Sequence, residues 1–557
     1  MEVGSAVRPE GATATADATG EPSRTAAPRA RRPDEVWLIL AVGFVVAVGV
    51  GLRFFTESNL WADEVLSVNI ARLPVSEIPD ALRQDGAPPL YYVLLHYWMR
   101  VFGTDDASVR ALSGVFGVAA LVPIWFAGRR LDRRREATGL APEGSRTLAW
   151  AALLLLATSP FAIRYSTEAR MYALVMLLVI LGYLAVHRAL DRPSIGRLAC
   201  VALVTALLVY THYWAFALLA VVVVWLALVA WRGWRELRKP ALAVVIAICA
   251  GSLAFIPWLS TFRYQAAHTG TPWGKPVSPV ASPAAAFKSF GGNLHVVGWM
   301  LLIMAILAVF ARAVDTRHFE VDLRTRPGVR VEAGVALATL AVGLAMARLS
   351  DTTFEGRYAS VMFPLFLLAA AFGVTVFASR PIRYAVLAVL IIGGFWGGGS
   401  NAYRNRTQAY QVAAAIRDDG KAGDLVVYCP DAIGTDVGRL LRDDVRQVSF
   451  PSFAPPGRID WTDYRRRVER TDPLQFAQEV VERAGPGSNI WLVSISDSPI
   501  VAEKCGLIGD ALSLLRPGRT RIFEPDPYFF EHHGLVKYPP NVPAPSTSPP
   551  DASAPAG

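Results

Sequence analysis

VWLILAVGFVVAVGVGLRFFTESNLWADE, residues 36–64, is a long apolar block followed closely by an acidic pair. The block covers 36–55 and is long enough to cross a bilayer core of roughly 30 Å as a helix. Comparable blocks of about 17 to 23 residues recur up to position 400, separated by short charged segments. Soluble core helices are shorter and carry a polar stripe, which most of these blocks lack. The pattern predicts a polytopic membrane protein.

Eleven membrane spans are predicted. Each must be helical, because the bilayer offers no partner to backbone polar groups. Only a Thr-His-Tyr sequence separates the fifth span from the sixth. The predicted spans are 36–55, 108–128, 147–163, 170–190, 198–212, 214–231, 240–260, 295–313, 332–349, 357–379 and 382–399.

Composition and charge agree with this interpretation. Hydrophobic residues make up 53% of the 557 positions, and the formal net charge is +9. The basic residues lie mainly in loops between apolar blocks, so they indicate membrane orientation and not a nucleic-acid partner. One alternating set of loops holds most of them, which places that set and the Arg-rich N-terminus in the cytoplasm. An odd number of spans then places everything after residue 400 on the extracytoplasmic side.

The chain divides into segments of different composition. Residues 1–33 are predicted to form a disordered cytoplasmic tail. They are not a cleaved signal peptide, because no small-residue cleavage site follows the first apolar block. Residues 34–400 form the predicted all-α transmembrane domain, with a long first outer loop at 56–107. Residues 401–538 predict a small extracytoplasmic α/β domain, and residues 539–557 a second disordered tail.

The α/β prediction rests on strand-like runs that alternate with helical stretches. These runs are Asp424–Tyr428, Val445–Ser449 and Ile490–Ser494. The four cysteines of the chain are too few for a disulfide scaffold and lack metal-binding spacing. If the domain is exported, Cys429 and Cys505 can pair, but the sequence leaves this open.

Acidic residues of the first outer loop are candidates for chemistry. Asp63 and Glu64 follow the first span directly. Asp85 precedes Pro88–Phe102, an apolar and aromatic segment too short to span, which we predict to be a helix lying in the membrane interface. Carboxylates held at the membrane surface are costly and often functional, and two in one cleft can supply a general base and an orienting group. The alternative is that they are ordinary loop acids or a helix N-cap.

Later outer loops carry candidate ligands for a phosphate. Arg164, Glu168 and Arg170 lie at the mouth of one span, where they can bind phosphate and position a carboxylate, or simply pair with one another. Arg357 and Tyr358 stand at the start of another span, where an arginine suits a lipid-phosphate leaving group or snorkels to the interface.

His212 also faces the outer side in this topology. A single histidine at such a place is more often structural than catalytic, and its outer-facing position makes it a candidate for substrate binding.

The chain resembles the GT-C glycosyltransferases at Asp63-Glu64, at Asp85 with Pro88–Tyr92, and at Tyr165–Tyr172. The branch it is most similar to contains protein O-mannosyltransferases, aminoarabinose transferases and bacterial transferases that use polyprenyl-phosphate sugars. The resemblance covers the whole predicted membrane part. It implies a plasma-membrane enzyme with a polyprenyl-phosphate-linked sugar donor and a glycolipid, polysaccharide or protein acceptor.

The resemblance also implies roles for individual residues. Asp63 would be the catalytic base, with Glu64 and Asp85 orienting it or the acceptor. Arg357, helped by Arg170, would stabilise the leaving phosphate, and a single displacement would invert the anomeric centre. The metal-binding motif of the oligosaccharyltransferase branch is not seen in this sequence, so neither a metal nor another cofactor is predicted.

Two other functions fit parts of the pattern. A multi-span transporter or flippase of a lipid-linked or small polar substrate is one, although transporters usually place polar groups in the middle of spans. A membrane scaffold that displays the α/β tail is the other, but it has no need of acids at the membrane surface.

Overall fold

A computed structural model describes residues 33–232, 235–324, 328–495 and 501–541. The predicted tails 1–33 and 539–557 lie almost wholly outside these residues.

Helices make up 66% of the structure. The helices are α1 (Pro33–Gly51), α2 (Ala62–Ala71), α3 (Ile78–Asp85), α4 (Leu90–Phe102), α5 (Asp106–Ala119), α6 (Leu121–Ala137), α7 (Thr147–Thr158), α8 (Pro160–Ser166), α9 (Tyr172–Asp191), α10 (Ile195–Thr211), α11 (Ala215–Arg232), α12 (Arg235–Leu253), α13 (Leu259–His268), α14 (Ala281–Phe290), α15 (His295–Phe310), α16 (Arg330–Leu349), α17 (Phe363–Val374), α18 (Arg380–Tyr403), α19 (Ala409–Asp419), α20 (Gly434–Leu440), α21 (Tyr464–Arg470), α22 (Pro473–Ala484) and α23 (Ala502–Leu515).

A helix lies in each predicted span, but not every helix has the length of one. Among the described residues, five helices are long and apolar enough to cross a bilayer, and there are up to eight spans if each of three bent helix pairs is one. Three further apolar helices have only 10–17 residues. The number of eleven spans therefore remains a prediction, while several apolar helices of spanning length are present.

Two predicted span boundaries differ from the structure. The predicted span 147–163 bends by 53° between α7 and α8, where Pro160 begins the second helix. The predicted span 357–379 begins as a short 3-10 helix, Gly356–Val361, and becomes α17 only at Phe363. Arg357 thus lies on a tight turn before the helix.

Arg53 stabilises the bend between α7 and α8. A break in a helix leaves carbonyl groups without their usual intrahelical partners. The buried guanidinium of Arg53 donates to the carbonyl oxygens of Leu156 at 2.6 Å and Ala157 at 2.8 Å. The last turn of α7 is therefore fixed to the end of α1, next to the first outer loop.

The C-terminal part contains a five-stranded mixed sheet in the order β4-β3-β5-β7-β6. Strands β3, β4 and β5 are mutually parallel at the positions predicted from the sequence, while β6 and β7 add antiparallel pairs that were not predicted. A short hairpin, β1 and β2, follows α15. The strands are β1 (Ala311–Ala313), β2 (Phe319–Val321), β3 (Leu425–Cys429), β4 (Arg446–Ser449), β5 (Ile490–Ser494), β6 (Thr520–Phe523) and β7 (Gly534–Tyr538).

A buried ion pair fixes the start of α2. Glu64 has no exposed surface, and its two carboxylate oxygens accept from Nε and a terminal nitrogen of Arg110 at 2.7 and 2.5 Å. The Ala169 amide donates to the same carboxylate at 2.9 Å. The remaining Arg110 donors bond the carbonyl oxygens of Ser58 and Asn59. One carboxylate therefore joins α2, α5 and the turn before α9.

We expect Glu64→Ala and Arg110→Ala each to destabilise the protein by about 3–5 kcal/mol, because each leaves an uncompensated buried charge. Thermal unfolding of the purified protein in detergent measures this as a lower melting temperature. Glu57→Ala, which removes an exposed acid of the same loop, is the matched control. Equal melting temperatures for Glu64→Ala and the control would contradict the role of the pair.

Cys429 of β3 and Cys505 of α23 form a disulfide that closes a loop of 76 residues. The pairing that the sequence left open is therefore present, and both cysteines are buried in the core of the sheet region. Cys200 and Cys249 are free.

We expect Cys505→Ser to destabilise the C-terminal region by about 2–5 kcal/mol, because a long closed loop restricts the unfolded chain. A lower unfolding temperature under non-reducing conditions would show this, with Cys200→Ser as the control. Reduction should shift the wild-type protein toward the variant. A wild-type protein that does not respond to reductant would argue against the bond.

Candidate functional site

The predicted acidic and basic residues meet at the N-terminal end of α2. The Asp63 carboxylate lies 3.0 Å from a guanidinium nitrogen of Arg357 and 4.0 Å from one of Arg170. About 29% of the Asp63 side chain is exposed, in contrast to the fully buried Glu64 beside it. Residues some 300 positions apart in sequence thus form one cluster around an accessible carboxylate.

Asp85 is joined to this cluster through Tyr92. The Tyr92 hydroxyl donates to the Asp85 carboxylate at 3.1 Å, and Arg170 donates to the Tyr92 oxygen at 3.3 Å and to Ser67 at 3.0 Å. Burial raises the pKa of Asp85, and the charge of Arg170 and the bond from Tyr92 oppose that rise. The predicted segment 88–102 is helical from Leu90, which places Tyr92 on its first turn.

A cavity of about 600 Å³ lies next to the cluster. Its walls come from the outer-loop ends of several apolar helices and from the C-terminal segment 527–532. Five Arg or Lys side chains and two Glu side chains line it, which makes it cationic: Arg164, Lys288, Arg357, Arg404, Arg406, Glu168 and Glu355. Asp63 reaches this cavity through its contact with Arg357.

Arg164 and Glu168 form one wall of the cavity. Arg164 lies 3.2 Å from the Glu168 carboxylate and donates to the Asn401 side chain at 3.0 Å. Burial raises the pKa of Glu168, while the positive charge of Arg164 lowers it. The pairing proposed as an alternative for these two residues is therefore present, and both also face the cavity.

His212 and Tyr358 lie in an aromatic cluster behind Arg357. The His212 ring packs at 5.6 Å against Tyr358 and at 5.7 Å against Tyr172, and its Nδ1 accepts from the Trp214 amide at 3.1 Å. His212 is 7% exposed and is not among the residues that line the cavity. Its position suits support of Tyr358 better than contact with a substrate.

Glu64, which the sequence suggested as a residue that orients Asp63 or the acceptor, is buried in the structure. Both of its oxygens are bonded and none of its surface is exposed, so a substrate cannot reach it. It holds the helical turn that carries Asp63.

Several residues of the site were not predicted. Arg406 is 1% exposed and donates to the backbone and side chain of Thr167, behind the cavity. Trp61 packs edge-on against Phe530 at 5.3 Å. These residues come from the tail or pair with it, and no motif in the sequence relates the tail to the first outer loop.

Asp436, Glu531 and His533 form a separate polar group in the tail. Their potential ligand atoms lie within 4.8 Å of one another, a spacing that a metal ion can bridge. The same atoms also hydrogen-bond each other, with His533 Nε2 at 3.2 Å from the Asp436 carboxylate. The prediction of a metal-independent protein is not tested by this arrangement.

Comparisons with known proteins were made at the level of sequence and of structure. No family model and no curated protein matches the sequence. The apo crystal structure of ArnT from Cupriavidus metallidurans is similar over 91% of this chain and 98% of its own, with 12% identity and a TM-score of 0.56. The structure of ArnT bound to undecaprenyl phosphate covers the same shares with 13% identity and a TM-score of 0.49.

Arabinofuranosyltransferase AftD from Mycobacteria is also similar, over 89% of this chain but only 41% of its own, with 15% identity and a TM-score of 0.44. The apo ArnT comparison extends over nearly the whole of both chains, and ArnT is a GT-C glycosyltransferase. The predicted resemblance is thus confirmed in the architecture of the chain, which has the GT-C glycosyltransferase fold.

Proposed function

We propose that the chain is a membrane glycosyltransferase that moves a sugar from a polyprenyl-phosphate donor to a hydroxyl group of an acceptor. The acceptor is a cell-envelope glycolipid, polysaccharide or protein. The observation that carries this proposal is an accessible carboxylate, Asp63, paired with an arginine that lines a cationic cavity. ArnT, which has the same fold, has been crystallised with undecaprenyl phosphate.

The cavity suits the phosphate of such a donor. Arg357 lines the cavity. Its positive charge is only partly neutralised, because its partner Asp63 also lies near Arg170. Lys288 is exposed and also lines the cavity. Arginine binds phosphate through paired donors and lysine as a point charge, so the two can hold one headgroup together.

Asp63 is placed to act as the base. In the proposed step, the acceptor oxygen gives its proton to the Asp63 carboxylate and forms a bond to the anomeric carbon. The bond from that carbon to the phosphate oxygen breaks, and the polyprenyl phosphate leaves with the electron pair. Arg357 stabilises the charge that develops on the phosphate. A single displacement of this kind inverts the anomeric centre.

Asp85, Tyr92 and Arg170 hold the base in place. Arg170 bonds the hydroxyls of Ser67 and Tyr92, and Tyr92 bonds Asp85, so the arginine cannot turn freely toward solvent. This leaves Arg170 within ionic range of Asp63 and leaves Asp85 as a positioning residue.

The extracytoplasmic placement of this site has two supports. The basic loops predicted to be cytoplasmic contact one another away from the site, for example where Arg130 lies 2.6 Å from Asp191 and Arg134 lies 2.9 Å from Glu332. The disulfide between Cys429 and Cys505 suits an oxidising compartment. The N-terminus would then lie in the cytoplasm, and the protein would be embedded in a bacterial-type plasma membrane.

We expect Asp63→Asn to lower the transfer rate by about 10²–10⁴-fold, because the amide cannot accept the acceptor proton. Purified protein in nanodiscs would be given a panel of radiolabelled polyprenyl-phosphate sugars and a membrane lipid extract. Asp80→Asn, an exposed acid in the same loop, is the control and should transfer at the wild-type rate. Full activity in Asp63→Asn would remove this residue from the mechanism.

We expect Arg357→Gln to weaken binding of polyprenyl monophosphate by about ten- to hundredfold, the effect of losing a charged hydrogen bond worth about 1.5–3 kcal/mol. Binding of the labelled lipid phosphate to protein in nanodiscs gives the affinity directly. Arg348→Gln removes an exposed arginine from the last turn of α16, shortly before Arg357, and should leave the affinity unchanged. An unchanged affinity in Arg357→Gln would place the phosphate elsewhere.

A further inference from the structure

The C-terminal segment reaches the turn that carries Asp63. The Ala62 amide donates to both carboxylate oxygens of Glu531, at 3.3 and 3.2 Å. The backbone of Glu531 is itself fixed, since its amide donates to the carbonyl of Arg406 at 2.8 Å and its carbonyl accepts from Gln408 at 2.9 Å. Its side chain is therefore held in place at the N-terminus of α2.

This contact supplies what the local sequence lacks. The first amides of a helix have no intrahelical partner and are usually bonded by the side chain of the N-cap residue. Here the N-cap residue is Trp61, whose indole cannot accept such a bond. Ala62 is the first residue of α2, and Asp63 is the next, so the bond from Glu531 fixes the backbone directly before the proposed base.

A polar group holds Glu531 from the other side. The Thr407 hydroxyl donates to the Asp436 carboxylate at 2.6 Å, His533 lies 3.2 Å from the same oxygen, and Glu531 hydrogen-bonds Asp436. Two carboxylates form a hydrogen bond only when one of them keeps a proton.

We propose that Glu531 is a positioning residue of the transfer reaction, which accepts from the Ala62 amide and so fixes the turn that carries Asp63. This inference rests on the proposed function, because it gives Asp63 a task in the reaction. It makes the tail part of the catalytic unit, in contrast to a module that only binds the acceptor.

The test compares Glu531→Gln with Glu531→Ala. Glutamine keeps an oxygen that can accept from Ala62, and its amide can hydrogen-bond Asp436. We expect Glu531→Gln to transfer within about twofold of wild type. Glu531→Ala should lose about ten- to hundredfold in kcat with the donor KM unchanged, because the carboxylate of Asp63 is no longer held in place.

Two measurements separate this effect from a loss of folding. Binding of polyprenyl monophosphate should be the same in wild type and Glu531→Ala, while amide exchange in residues 58–66 should be faster in Glu531→Ala alone. Asp463→Asn removes a different contact of the tail, the pair with His268 at 3.3 Å, and should leave kcat and exchange at 58–66 unchanged.

Three results would overturn the inference. The first is an unchanged kcat in Glu531→Ala, with transfer by the wild type intact. The second is a loss of transfer in Glu531→Gln together with a stoichiometric metal ion in the wild-type protein, which would replace the shared proton by a cation. The third is no transfer by the wild type from any donor, which overturns the proposed function itself. The exchange data still report the Ala62 contact in that case.

Discussion

A carboxylate with no access to water must keep its cationic partner, and the outer face of this protein is arranged around one such pair. Glu64 and Arg110 form two hydrogen bonds with each other, and the two side chains also bond the backbone at Asn59 and Ala169. Removing either partner would leave a charge in a medium that solvates it poorly. The pair thus fixes the start of α2 against α5, and the cluster around Asp63 depends on that position.

Two neighbouring acids consequently have opposite surroundings. Successive residues of an α-helix point about 100° apart, since one turn takes 3.6 residues. With Glu64 fixed inward, Asp63 points in a different direction, where it lies close to Arg357 and Arg170. The same acidic pair therefore provides a buried anchor and an accessible carboxylate, and the two positions cannot be exchanged by a simple rotation of the helix.

The sequence was informative where the bilayer constrains it. Long apolar blocks predicted where the membrane helices lie, and the alternation of loops predicted that Asp63, Asp85, Arg170 and Arg357 belong together. It could not separate the roles of adjacent acids, because burial depends on partners such as Arg110 that lie far along the chain. Strands β6 and β7 were missed because Thr520–Phe523 and Gly534–Tyr538 are short and gain their partners only in the folded sheet. The cavity wall formed by 527–532 was missed because this segment, too, gains its partners only in the folded protein.

The bond between Ala62 and Glu531 joins positions 469 residues apart. During synthesis, the first turn of α2 therefore exists for most of the elongation time without the cap that it has in the finished protein. A chain that ends before residue 531 has the Glu64–Arg110 pair but no acceptor for the Ala62 amide. The apolar helices can therefore insert before this cap forms, because the cap requires the chain to be made as far as residue 531.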